Sequence, residues 1–178
     1  GLAYHEMVLQ ETLEMLEQKR GAVPNEKHRL LSMFPPPSHD LKIVDWMERE
    51  HGAVIAADPY SSHWGDFDWD NAQPFVTLAR KGHASPMSRS MHNPPEEGTV
   101  ADIVQDAIEF KTQGAVYWAH VGCRNACAMI RTIKDALREK VGIPTLVMDM
   151  DILDPSVVTD ADMKDKLEGF FETLSDVG

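Results

Sequence analysis

The chain has 178 residues, 43% of them hydrophobic, which is the size and composition of a single packed domain. Its 29 acidic residues outnumber the 17 basic ones, and the net charge of −12 opposes nonspecific attraction to nucleic acid or to an anionic membrane. Two cysteines, Cys123 and Cys127, make no disulfide framework and suit a reducing cytoplasm. No run approaches the roughly 18 apolar residues of a membrane span, and the charged N-terminus lacks the order of a signal peptide. The chain opens without Met inside a helical pattern, so it reads as a piece of a longer polypeptide.

Leu2, Leu9, Leu13 and Leu16 recur on one helical face, so residues 2–19 are expected to form an amphipathic helix that Gly21 ends. We read residues 1–24 as a linking helix and 25–178 as one α/β domain. Residues 28–34 read as a first strand. Pro35, Pro36 and Pro37 then remove backbone donors and force a loop at its C-terminal end. Ser38 or Asp40 is placed to cap a helix running to about Glu50, with Gly52 as its stop. Residues 53–57 are wholly apolar, as are 115–119, and a further strand is expected at 145–148 after Pro144. Strands without polar alternation are buried on both faces, the signature of a parallel sheet covered by helices.

Residues 59–98 form a long stretch rich in Ser, His, Trp, Asp and Pro, with a helix expected near 74–80. A loop of that length is usually functional. Thr99 is placed to cap a helix ended by Gly114, and further helices are expected over 125–140 and 160–174. Strands alternating with helices imply right-handed crossovers, hence an open parallel four-stranded sheet flanked by helices, flavodoxin- or Rossmann-like in kind. If the second and third strands lie on opposite sides of the first, the chain's switch point falls between the triple-proline loop and Cys123, where such sheets bind ligands.

Cys123 stands where a buried strand turns into a helix. Unpaired N–H groups at a helix N-terminus favour a thiolate there, fitting a metal ligand or a nucleophile, whereas a small buried hydrophobe is the plain alternative. Cys127, one turn on, is explained by a small residue facing the sheet. His120 invites a Cys–His dyad with Cys123, although nothing marks an orienting third group. Arg124, Arg131 and Lys134 could touch phosphates or form a solvated face. Asp149, Asp151 and Asp154 only loosely resemble a hard-cation site, and turn-capping is the reading we favour for them. His63, Trp64, Trp69, His83 and His92 could wall a pocket or merely cover a surface. No Walker motif and no GxGxxG is present, so nucleotide binding is not indicated.

The run from Gly122-Cys123-Arg124, through Gly142-Ile143-Pro144 and Asp149-Met150-Asp151, to the segment from Leu167 to Glu172 resembles the 2-hydroxyacyl-CoA dehydratase and benzoyl-CoA reductase subunits. The proline-rich loop after the first strand and the helix ending before Gly52-Ala53 agree with that family's C-terminal half. The resemblance implies a cytoplasmic lyase of anaerobic bacteria built from two related subunits, each holding a 4Fe-4S cluster. By position, Cys123 matches a cluster ligand, with the remaining ligands from outside this piece. It also implies an ATP-hydrolysing iron–sulfur activator that delivers one electron. The 2-hydroxyacyl-CoA then loses water through a ketyl radical to give 2-enoyl-CoA. A benzoyl-CoA reductase subunit and a non-catalytic scaffold or electron-transfer subunit stay open as alternatives.

Overall fold

The computed structural model describes residues 1–62, 68–86, 88 and 98–175. Its order is α1 (Leu2–Glu17), β1 (His28–Met33), α2 (Lys42–His51), β2 (Ala53–Ala57), α3 (Pro59–Ser62), α4 (Pro74–Ala84), α5 (Thr99–Glu109), β3 (Gly114–His120), α6 (Arg124–Ala136), β4 (Thr145–Met150) and α7 (Asp160–Ser175). The four strands form one sheet in the order β2-β1-β3-β4, parallel throughout, with His28 opposite Ala53, Leu30 opposite Gly114 and Ala115 opposite Thr145. This is the expected open α/β sheet. The chain steps from β1 to β2 on one side and returns past β1 to β3 on the other.

Side chains alternate across a strand, so each central strand feeds two cores. On one face Leu30, Val116, Trp118 and Met148 pack beneath Ile43 and Met47 of α2 and Leu167, Phe170 and Phe171 of α7. On the other, Leu31, Met33, Ala115 and Tyr117 pack beneath Ile103 and Ala107 of α5 and Ile133 of α6. Burial on both faces holds for β1 and β3, whereas edge strand β2 is half-buried along its middle and edge strand β4 is half-buried over residues 145–147 and exposed at Asp149. At Gly114 an added Cβ would stand 2.8 Å from the Phe170 ring, so only glycine admits α7 this closely. The buried indole of Trp118 donates to Ser32 Oγ at 3.1 Å, tying β3 to β1 through the core.

At the N-terminal ends of the strands Gly52 ends α2 with φ 62°, and its carbonyl accepts the N–H groups of Lys27 (2.8 Å) and His28 (3.2 Å). The His28 ring stacks on Phe171 at 5.6 Å and 10°, and His51 lies against the same ring at 5.1 Å. Burial holds His28 below the ordinary histidine range, and the charges of Lys27 and His51 act in the same direction. A hollow of 270 Å³ beside them is lined by charged groups, Lys27, Glu50, Glu168 and Glu172 among them.

Several expectations are corrected in detail. The first strand stops at Met33 rather than Phe34, because Phe34 takes φ 66° to enter the proline loop. Neither Ser38 nor Asp40 caps α2, which begins after Leu41 without a side-chain cap, and α5 likewise starts after Gly98 with Thr99 already helical. The helix expected over 125–140 is α6 only to Ala136. Its last turn, Leu137–Val141, widens to π geometry before Gly142 reverses the chain at φ 83°. The fourth strand runs on to Met150. Helix α1 forms as expected but buries no residue, so its leucine stripe faces away from the sheet domain.

Candidate functional site at the switch point

Because β2 and β3 flank β1 on opposite sides, the loops after β1 and β3 diverge and leave a crevice between them at the C-terminal edge of the sheet. Cys123 stands at that crevice as the N-cap of α6, half-buried, with extended backbone (φ −103°, ψ 105°) and no side-chain cap bond. Its N–H donates to His120 O at 2.9 Å, and its carbonyl accepts Cys127 N–H at 3.0 Å, which closes the first turn of the helix. Cys127 is exposed, which corrects its reading as a buried thiol. The same face of α6 that carries Cys123 turns Cys127 toward the loop, its sulfur 3.6 Å from His120 O.

The His120 imidazole makes no hydrogen bond to either thiol among the described residues, so the Cys–His dyad is not formed. It turns instead to the end of β4, placing Nδ1 3.3 Å from Asp151 Oδ2 without hydrogen-bond geometry. Asp151 Oδ1 accepts the N–H groups of Leu153 (2.9 Å) and Asp154 (3.0 Å), which is the turn-capping role expected of these aspartates. Those two N–H groups hold the Asp151 carboxyl below its ordinary value, and His120 and His39 add to the effect. Asp154 is lowered by the hydroxyl and N–H of Ser156. Ser38 N–H, just past the prolines, donates to Ile152 O at 3.0 Å, so the β1 loop crosses the end of β3 and ties into the loop after β4.

On the other side of Cys123 an aromatic wall closes the crevice. Phe34 packs against Tyr60 and Tyr117 with ring centroids 5.2 Å apart in both cases. The Tyr117 hydroxyl donates to Ala126 O at 2.7 Å. Burial pushes both phenols well above their ordinary range. Cys123 and then Asp58 raise Tyr60 further, while Tyr60, Cys127 and Cys123 raise Tyr117. Both tyrosines therefore remain neutral donors. Tyr60 and His39 were not singled out in the sequence. Asp58-Pro59 directly after a strand was the available signal for Tyr60, since Asp58 accepts the N–H of Tyr60 at 3.0 Å and starts α3.

Of the remaining candidates, Arg124 is exposed at the crevice mouth, and Arg131 and Lys134 lie on the exposed side of α6, with Arg131 paired to Asp135 at 3.5 Å. Trp69 and His83 are exposed, and Trp69 donates to Asn71 at 2.6 Å. His63, Trp64 and His92 lie outside the described residues. A hollow of 750 Å³ between residues 22–27 and 48–52 opens at the opposite end of the sheet, away from Cys123. Beside Tyr60 a small recess of about 10 Å³ lies between Met33, Pro86 and Asp102.

Chemically, the crevice offers the half-buried Cys123 thiol with Cys127 exposed one turn on, the Tyr60 phenol, two imidazoles and a fixed carboxylate, while the Tyr117 hydroxyl is committed to Ala126 O. Among the described residues no group of three or more His, Cys, Asp or Glu side chains converges to hold a metal ion alone. Among the described residues no helix is long and apolar enough to cross a membrane. Among curated proteins none matches this chain. The family described as 2-hydroxyglutaryl-CoA dehydratase, D-component, matches residues 1–174, nearly the whole sequence and the entire crevice, and the chain belongs to that family.

Proposed function

We propose that the chain is part of one subunit of an iron–sulfur 2-hydroxyacyl-CoA dehydratase, a hydro-lyase that works with a second, related subunit. The family supports the dehydratase reading and, through its designation as a component, a partner. The observation that carries the site is the half-buried Cys123 at the head of α6, at the switch-point crevice, a free thiol whose sulfur makes no cap bond among the described residues. A 4Fe-4S cluster is held mainly by cysteine thiolates. One accessible cysteine fits one corner of such a cluster, and the other ligands would come from outside the described residues. When bound, the cluster supplies one-electron chemistry that no protein side chain offers.

This chain's own residues then do the rest. Cys123 would ligate, while Phe34, Tyr60 and Tyr117 exclude water from one side of the crevice and Tyr60 keeps a neutral phenol there. The substrate is a 2-hydroxyacyl-CoA thioester that leaves as the 2-enoyl-CoA, after an ATP-dependent iron–sulfur activator has delivered an electron. Iron and sulfide analysis with electron paramagnetic resonance on the anaerobically purified complex tests this. Wild type is expected to hold about four irons per cluster, and Cys123→Ser to lose the cluster of its own subunit together with activity. Equal iron in both proteins removes Cys123 from the ligand set.

A further inference from the structure

We propose that Asp151 is a positioning residue for Cys123, acting through His120, an inference that rests on the ligand role given to Cys123 above. The turn from β3 into α6 is only three residues long, and each of its exits is anchored. Val121 N–H donates to Met150 O at 2.9 Å, and Cys123 N–H donates to His120 O at 2.9 Å. The His120 ring lies beside Gly122 at the outer edge of this turn. A Cβ on Gly122 would stand 3.6 Å from His120 Cε1, 3.8 Å from Nε2 and 3.9 Å from Asp151 Oδ2.

The ring is in turn oriented by Asp151. His120 Nδ1 is shut off from solvent and has no hydrogen-bond partner among the described residues, and Asp151 Oδ2 faces it at 3.3 Å. Asp151 cannot swing away, because its other oxygen accepts two backbone N–H groups at 2.9 and 3.0 Å. The carboxylate therefore transmits the rigid end of β4 to the ring, and the ring to the residue preceding Cys123. Oriented partners behind a metal ligand are what hold it in a productive geometry. His39 adds to the same field from the proline loop, so all three loops meet on one carboxylate.

The test uses iodoacetamide on the anaerobic complex with and without its iron. Cleavage after Arg124 separates the peptide of Cys123 from that of Cys127, so each labelling rate is read alone. Iron is expected to protect Cys123 in wild type; equal labelling with and without iron overturns the ligand reading itself. In the iron-free protein Asp151→Ala is expected to raise Cys123 labelling roughly fivefold, the scale of about 1 kcal/mol lost with the Asp151–His120 contact and the Asp151 turn bonds. Asp151→Asn, which keeps the Oδ1 acceptor, is expected to fall between the two. Gly142→Ala, which weakens the fold at the far end of the sheet, is expected to leave the rate unchanged. If Cys123 is protected by iron and labels at the wild-type rate in Asp151→Ala, or if Gly142→Ala raises it equally, the positioning role is refuted while the ligand role stands.

Discussion

Gly52→Ala and Gly142→Ala make a matched pair, because both glycines sit in the left-handed region, at φ 62° and 83°, and only one is crowded. An alanine in that region costs about 1 kcal/mol relative to glycine. At Gly142 nothing lies within 4 Å of the added methyl, so the cost stops there. At Gly52 the methyl would overlap the backbone carbonyl of Asn25, and the linker could yield only by pulling away from the sheet. That movement loosens the Lys27 and His28 hydrogen bonds to the Gly52 carbonyl, at 2.8 and 3.2 Å, each worth about 1 kcal/mol. We expect about 3 kcal/mol for Gly52→Ala against about 1 kcal/mol for Gly142→Ala. Equilibrium unfolding in urea, followed by tryptophan fluorescence, gives both values from the midpoints at common slope. A difference under about 1 kcal/mol would refute the reasoning, because the clash and its tethers would then carry no weight.

Other consequences are open to simple measurements. Ser32→Ala strands the Trp118 indole N–H in the core and is expected to cost about 2 kcal/mol in the same unfolding assay; a change within the noise would mean that the indole finds another acceptor. His28 is held below its ordinary value, so the folded state favours the neutral ring, and its contribution is complete above the unfolded value of 6.5 and lost as pH falls toward the folded value. Stability should decline on acidification from about pH 7 to pH 5, and His28→Phe, which keeps the stack on Phe171, should flatten that decline; parallel profiles would exclude His28 as the cause. Cys127→Ser should leave iron content at the wild-type level, because Cys127 faces His120 O rather than a site of converging ligands.

The sheet was legible because apolar runs such as 115–119 have no polar alternation, and a parallel strand buried on both faces leaves that mark. The switch point followed once the strand order was supposed, and the structure has that order. Ends were less legible. Nothing in the apolar pattern records that Phe34 turns to positive φ or that Leu137–Val141 widens into a π turn, because both are choices of backbone angle rather than of burial. The site divided in the same way. Cys123 announced itself by its place between a strand and a helix, whereas the end of β3 at His120 and the loops after β1 and β4, with His39 and Asp151, come together only in the fold, as does Tyr60 beside Cys123. Asp151 was assigned its turn correctly, yet its second oxygen faces a histidine 31 positions earlier, a contact that spacing does not encode.

The central position of β1 also sets the order in which the sheet can be built. Its partner β2 begins 25 residues later, with His28 opposite Ala53, but its other partner β3 lies 84 residues on, with Leu30 opposite Gly114. Loop closure grows with the logarithm of length, so the second pairing costs about 1 kcal/mol more in chain entropy than the first. The β1–α2–β2 unit is thus expected to collapse early, during synthesis as well as refolding. Until β3 docks, it carries one bare edge of unpaired N–H and C=O groups lined by Leu30 and Leu31. That interval, rather than the finished fold, is where the chain is most exposed to aggregation, and the length of the segment joining β2 to β3 governs how long it lasts.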